Sequence, residues 1–443
     1  MVKRLIIFLF LHIILSNCEI TFNFKRNIEI YKNIPKGKEP MDYLMKNIIE
    51  TNINLGTPFQ EIPLKIDSSV YSTSILGEES EKLANFKYFK KNSSETYNKI
   101  QYYKVILSTG FKSGETAKET FQLVSKNKNK NSYKNISFFY GIINDEPEFS
   151  GYLGLSIDLN NDGPLNNFSF PTQLKELNIT KNYAFQIEFI NNKKGNLIIG
   201  NDNYDHTSPL INKTNIAKID NKIQYWAIYF DKTLYGNLSF GNQSSDINNV
   251  LKFEFGNNYL GSNSLYEKII YDKFFKEKLE KKECFKNNSV GYYYYYCNKS
   301  TVVSKMQDLV FFNKNMNRNF TLTYDDLFYE SNGFNYFLVI FPNKFEPQND
   351  YFTVGYPLLK KYSFLFDSHN KIIVFMKEIN PFPLWKILLF VFALIVIIFL
   401  IFIIVFLLNK PKRKKRPNEI NEDFEYLPQN DNNNNNKLVD ENN

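Results

Sequence analysis

Histidine, cysteine and helical periodicity are scarce in this chain, and each scarcity removes a class of function. Only three histidines occur in 443 residues; His12 sits in an N-terminal apolar run, while His206 and His369 stand in polar, turn-like stretches. A zinc cluster and a Ser-His triad both need histidines that converge, so neither is available and no metal is expected. Glycine-rich phosphate loops and dinucleotide fingerprints are absent too, so no cofactor is expected. The net charge of +8 falls to +5 once Lys3, Arg4 and Lys386 are assigned to targeting segments and the seven basic and seven acidic residues beyond Leu408 cancel. That balance is too weak to argue for a polyanion, so no nucleic acid is expected as partner.

What the ends contain is more specific. Met1-Val2-Lys3-Arg4, an apolar run from Leu5 to Leu15, and Ser16-Asn17-Cys18 have the three regions of a signal peptide, expected to occupy residues 1–18. From Ile387 to Leu408 the chain is unbroken apolar, enough to cross a hydrocarbon core of ~30 Å. Trp385 and Lys386 precede that run, and Lys410-Pro411-Lys412-Arg413-Lys414-Lys415-Arg416 comes after it, which marks the far side as cytosolic. The expectation is a single-pass type I membrane protein with a transmembrane helix at 385–408 and a disordered, Asn-rich cytosolic tail at 409–443. Its body would face a secretory lumen, a vesicle interior or the cell surface.

With Cys18 removed alongside the signal, Cys284 and Cys297 remain as a pair in an oxidising compartment, and a disulfide between them is expected. Ten Asn-x-Ser/Thr sequons, from Asn92 to Asn319, fit a glycosylated lumenal body. Between Glu19 and about Asn380 short apolar runs alternate with Asn, Gly, Asp and Ser clusters, which predicts a mostly β fold. Helices are expected only near Pro171–Leu177 and Leu265–Leu279. Tyr292 to Tyr296 reads as a strand with one buried and one exposed face, or as a recognition surface. The bias to Asn, Lys, Ile and Phe suggests an AT-rich protist genome.

Two acids stand out by position. Asp67 ends the run Ile62-Pro63-Leu64-Lys65-Ile66, after the turn Asn54-Leu55-Gly56-Thr57-Pro58, and Glu254 comes directly after Val250-Leu251-Lys252-Phe253. Gly151-Tyr152-Leu153-Gly154-Leu155, Phe170-Pro171-Thr172-Gln173-Leu174, Gly195-Asn196-Leu197-Ile198-Ile199-Gly200, Tyr225-Trp226 and the closing runs Tyr351–Gly355, Tyr362–Asp367 and Asn370–Phe375 come in an order that resembles the pepsin-like aspartic proteases. The resemblance implies a bilobal β fold, with lobes at 19–205 and 206–380, and a catalytic dyad at Asp67 and Glu254. Glu19 to about Asn47 is short and weakly basic for an inhibitory propeptide and would form the first strand.

The family's chemistry needs two carboxylates close enough to share a proton, since like charges about 3 Å apart cannot both ionise. Each acid in the family is followed by a Ser or Thr and then a Gly. Ser68 keeps the hydroxyl, but Ser69 takes the Gly position, where its Cβ would crowd the dyad. Glu254 adds a methylene, Phe255 replaces the second hydroxyl and puts a large ring there, and Gly256 remains. Misplacement of ~1 Å can cost on the order of 100-fold in rate. In the flap, aligning Gly110 and Gly114 sets Leu107 in the place of the family's Tyr. The expected function is therefore a catalytically impaired pseudo-protease that binds a polypeptide or protein partner. An active membrane-anchored endopeptidase using Asp67 and Glu254 at acid pH, and an adhesion or structural surface protein, stand as alternatives.

Overall fold

Alternation of apolar and polar residues builds the sheets. In the computed structural model the strand Ile20–Arg26 buries Ile20, Phe22 and Phe24, and the strand Gln60–Asp67 buries Ile62, Leu64 and Ile66, the period-2 pattern of a strand with one face on a core. The described residues are 19–26, 49–83, 86–103, 111, 113–124, 129–143, 149–157, 169–201, 204–208, 211–218, 225–240, 249–289, 291–344, 350–379 and 384–408. The expected signal at 1–18, Leu107 and Gly110 of the expected flap, and the expected tail at 409–443 lie outside them. The mostly β expectation is met, and the stretch after the signal does supply a first strand, paired on one side with Lys194–Ile199 and on the other with Ile49–Leu55.

Strands from both ends of the sequence share one 13-stranded sheet. Within it Tyr362–Asp367 pairs with Ala184–Asn191 and Ile372–Glu378 pairs with Lys213–Asn215, so the last strands of the body close on the middle of the chain. The expected lobe boundary at 205 falls between the strands Lys194–Ile199 and Lys213–Asn215 of that sheet. Two smaller sheets hold most of the remaining strands of the second half. The chain to Asn380 forms one unit and the residues from Pro381 a second.

The two halves repeat one pattern around their acids. In the first, Gln60–Asp67 runs parallel to Gly151–Gly154, which is antiparallel to Ser74–Leu76, which is parallel to Lys130–Ile142. In the second, Val250–Phe253 runs parallel to Phe352–Val354, which is antiparallel to Leu260–Gly261, which is parallel to Phe334–Pro342. Parallel, antiparallel, parallel is unusual enough to count as one motif used twice. Since Ile66 faces Leu153 and Phe253 faces Val354, Glu254 comes opposite Gly355 as Asp67 comes opposite Gly154.

Helices lie at the two expected places, Phe170–Glu176 and Ser264 to Glu280 with a π-helical stretch at Tyr271–Phe275, but not only there: four-residue helices also form at Tyr324–Leu327 and Tyr356–Leu359. Cys284 and Cys297 form a disulfide between directly paired residues of a hairpin. The tyrosine run is a strand, Tyr292–Asn298, but it lacks the exposed face expected of it. Tyr293 and Tyr295 pack in the main core, while Tyr294 is buried on the other face with Tyr336 and Leu338. A neighbouring strand, Phe334–Pro342, supplies aromatic residues to both faces, which is why period-2 burial does not leave one side open.

In the second unit a helix runs Leu384–Leu408. Its side chains are described for residues 391–405, all exposed. Among the residues whose side chains are described, fifteen of them in this helix, no helix is long and apolar enough to cross a membrane.

Candidate active site

Strand ends deliver both acids to the same place. Asp67 closes its strand and Glu254 comes just past the end of the equivalent one, and each turn tightens against a glycine. A Cβ on Gly154 would overlap the backbone of Tyr71 and Ser72; one on Gly355 would overlap the carbonyl oxygens of Glu254 and Asn257. Both glycines therefore sit where two backbones close on each other. The two turns touch through Ser68. Its Oγ donates to the Phe253 carbonyl at 3.2 Å and accepts from the Phe255 N–H at 3.4 Å, so the residue after the first acid holds the residues on either side of the second. Trp226 adds a second tie, donating from Nε1 to the Leu155 carbonyl at 2.7 Å.

The reciprocal contact is gone, as the sequence implies, but for a different spatial reason. The expectation for Phe255 is a ring at the acids. Instead the ring is fully buried against Phe366 and Phe185, with centroids 4.9 and 5.8 Å away. Core burial of a phenyl ring outweighs any tendency to stay by two carboxylates. Ser69 also departs from expectation. It is exposed, and its N–H and hydroxyl both donate to Asp67 Oδ1, at 2.8 and 2.6 Å. Its polar groups hold one carboxylate oxygen in place. Gly256 is buried.

Sequence reasoning missed the charges that matter most. Lys65 Nζ lies 3.3 Å from Asp67 Oδ2, and Lys252 Nζ lies 2.8 Å from Glu254 Oε1. Each lysine stands two residues before its acid, and strand period 2 puts such pairs on one face. That spacing was the available signal. The pairs are shielded, with side-chain exposures of 12% for both Lys65 and Asp67, and 13% and 27% for Lys252 and Glu254. Aromatic rings complete each lysine's surroundings. Lys65 lies over Phe149 and Tyr152, and Lys252 lies 4.1 Å from the centre of Tyr225, a placement cation–π attraction favours. Burial works against the charge of Lys252, but the attraction and hydrogen bond of Glu254 outweigh it and raise its pKa.

The second acid has a longer chain of supports. Asn257 donates from Nδ2 to Glu254 Oε2, and its carbonyl accepts from the Tyr356 N–H at 2.7 Å. Asn258 accepts from Arg26 Nε at 2.8 Å, and that guanidinium lies over the Tyr356 ring, 3.4 Å from its centre. Arg26 ends the first strand, so the chain's opening strand buttresses the second acid's turn. Tyr259 is pushed up in pKa by burial first and then by the charge of Glu254.

Beside the expected flap, Ser113–Val124 pairs antiparallel with Asn98–Tyr103, and Gly114 packs where a Cβ would strike the Tyr140 carbonyl and the Phe139 ring. Groups of His, Cys, Asp or Glu able to hold a metal are absent among the described residues.

The family model of the eukaryotic aspartyl proteases matches residues 50–378. Among curated proteins no sequence matches the chain.

Proposed function

The chain belongs to the eukaryotic aspartyl protease family, and from that premise we propose that it is a pseudo-protease: a type I membrane protein whose pepsin-like body binds an extended polypeptide without cleaving it. The observation that carries this reading is the lysine on each acid. Aspartic proteolysis relies on two carboxylates whose mutual repulsion forces them to share one proton, leaving one as base and one as acid. An ammonium on each carboxylate cancels that repulsion pair by pair. The loss of the second hydroxyl to Phe255, which turns into the core, removes half of the mutual bracing between the turns. Both changes act on the reacting groups and leave the surrounding sheets intact.

The test is direct. Full-length protein, purified in detergent and incubated with a mixed peptide library at acid pH, is expected to give no cleavage above background. Cleavage that Asp67→Asn abolishes would overturn the reading. It would establish the second one, an endopeptidase using Asp67 and Glu254, which the Ser68 contact between the turns supports.

The membrane anchor is part of the same proposal. The helix Leu384–Leu408 has 25 residues, a length of about 37 Å at 1.5 Å per residue, beyond the ~30 Å of a hydrocarbon core. Its basic flank, Lys410 to Arg416, supports a cytosolic tail. The protein is expected to stay with membranes on alkaline carbonate extraction, and release into the soluble fraction would remove the anchor from the proposal. A lumenal or surface-facing body accords with the disulfide Cys284–Cys297.

A further inference from the structure

The paired lysines have capacity left over. An ammonium has three N–H donors, and among the described residues each of Lys65 and Lys252 is ion-paired with a single carboxylate, with aromatic rings beside it. Donor capacity beyond one carboxylate therefore occurs twice, at equivalent positions of the two halves. Beside each spare donor lies a carboxylate, an acceptor. The pairs are thus neutral donor–acceptor couples, one per half, joined through the Ser68 bridge.

We propose that Lys65–Asp67 and Lys252–Glu254 form a two-part grip on the backbone of an extended polypeptide, each lysine donating to a main-chain carbonyl oxygen and each acid accepting from a main-chain N–H. This rests on the polypeptide-binding reading above and names the atoms that carry it. The ligand class comes from the charge. A neutral couple gives no net attraction to an acidic or a basic side chain, whereas an extended backbone offers a carbonyl and an N–H at every residue in the spacing that donor–acceptor couples can meet. Tyr225 on one side and Phe149 with Tyr152 on the other supply apolar area beside each couple. Recognition is then tolerant of sequence at the centre of the ligand. Such a grip also gives no advantage to the tetrahedral geometry of a hydrolytic intermediate.

The experiment uses full-length protein and two probes, an apolar hexapeptide with an ordinary central amide and the same peptide with a central hydroxyethylene group. Calorimetry is expected to give dissociation constants for the two within about threefold of each other, because only a proton-sharing dyad gains from the hydroxyl; transition-state mimics otherwise gain at least ~100-fold. Lys65→Met and Lys252→Met should each weaken both probes by about tenfold, the scale of one hydrogen bond to a charged group. Lys65→Arg and Lys252→Arg, which keep charge and donors, should retain most of the affinity. Bound peptide should also shield Lys65 and Lys252 of the unmodified protein from reductive methylation, read by mass spectrometry, so the idea does not depend on a variant that folds poorly. Binding that survives both Met substitutions, or lysines left unshielded by bound peptide, would overturn the grip and leave the polypeptide-binding reading standing. A ~100-fold preference for the hydroxyethylene peptide, or no binding of either probe, would overturn both.

Discussion

The turn at Asp67 and the turn at Glu254 occupy the same place in the same strand motif, each with a lysine two residues before the acid and a glycine opposite it. They differ in the residues just past the acid. After Asp67 come Ser68 and Ser69, both of which use hydroxyls, one toward the other half and one back onto the acid. After Glu254 comes Phe255, whose ring leaves the site for the core. The residues just past the acid are held by polar contacts in the first turn and, at Phe255, by aromatic packing in the second. The strand motif places both turns alike although the residues just past the two acids differ.

The sharpest way to break that contrast is to empty the core behind the second turn. Phe255→Ala removes a fully buried ring from contact with Phe185 and Phe366. It should cost about 3–5 kcal/mol of stability, the usual range for a buried Phe truncated to Ala, read as the shift in denaturant midpoint at constant slope. Ser69→Ala, one place further along in the first turn, removes an exposed hydroxyl and should cost less than about 1 kcal/mol. Equal losses at the two positions would contradict the assignment of packing to one turn and polar contact to the other.

Next in size is the loss of a lysine. Lys65→Met strands Asp67, whose side chain is only 12% exposed, while Lys252→Met strands Glu254, which is 27% exposed. Breaking one partner of a shielded pair is more damaging the drier the survivor. Losses on the order of 2 kcal/mol for Lys65→Met and about 1 kcal/mol for Lys252→Met are expected from thermal unfolding. The reverse order would mean that Ser69 satisfies Asp67 without its lysine.

A smaller effect tests the bridge between the turns. Ser68→Ala leaves the Phe255 N–H and the Phe253 carbonyl without the hydroxyl that joins them. Both bonds are long, so a cost of about 1 kcal/mol is expected. Hydrogen exchange at the Phe255 amide should rise in the variant while amides of the strand Gln60–Asp67 stay protected. Unchanged exchange at Phe255 would show that strand packing alone holds the turns together.

How much of this the sequence discloses depends on the range of the contact. The strand–turn–acid segments, the short helix after Ser169 and the Cys284–Cys297 pair are local or come from composition, and all are found where expected. The direction of the Phe255 ring is not local, because it depends on Phe185 and Phe366, about 70 and 110 residues away. A ring expected at the acids therefore turns inward. The buttress from Arg26 to Asn258 spans 232 residues and has no sequence signal. Ser69 illustrates a subtler limit. Its volume suggests crowding, but it is exposed and its N–H and hydroxyl both donate to the acid. Lys65 and Lys252 are legible through strand period 2, yet reading each acid by the residues after it hides the residue two places before.

The smallest effect is in the pH dependence of the second turn. Lys252 has its pKa raised above the ordinary lysine value of 10.5 because Glu254 outweighs the cost of burial. A raised folded pKa means the pair's contribution is fully present below that ordinary value and is lost as pH rises through the folded one. The wild-type protein should therefore shed part of its stability only as pH climbs past about 10.5, and Lys252→Met should lack that component while starting from a lower plateau. With the lysine side chain only 13% exposed, solvent screening does not erase the effect. Thermal melting of both proteins from neutral to strongly alkaline pH measures it as a gap that narrows with rising pH. Curves that fall in parallel would mean that Glu254 does not hold Lys252 in solution, and the second turn would then owe its shape to packing and to its Asn257 and Arg26 contacts.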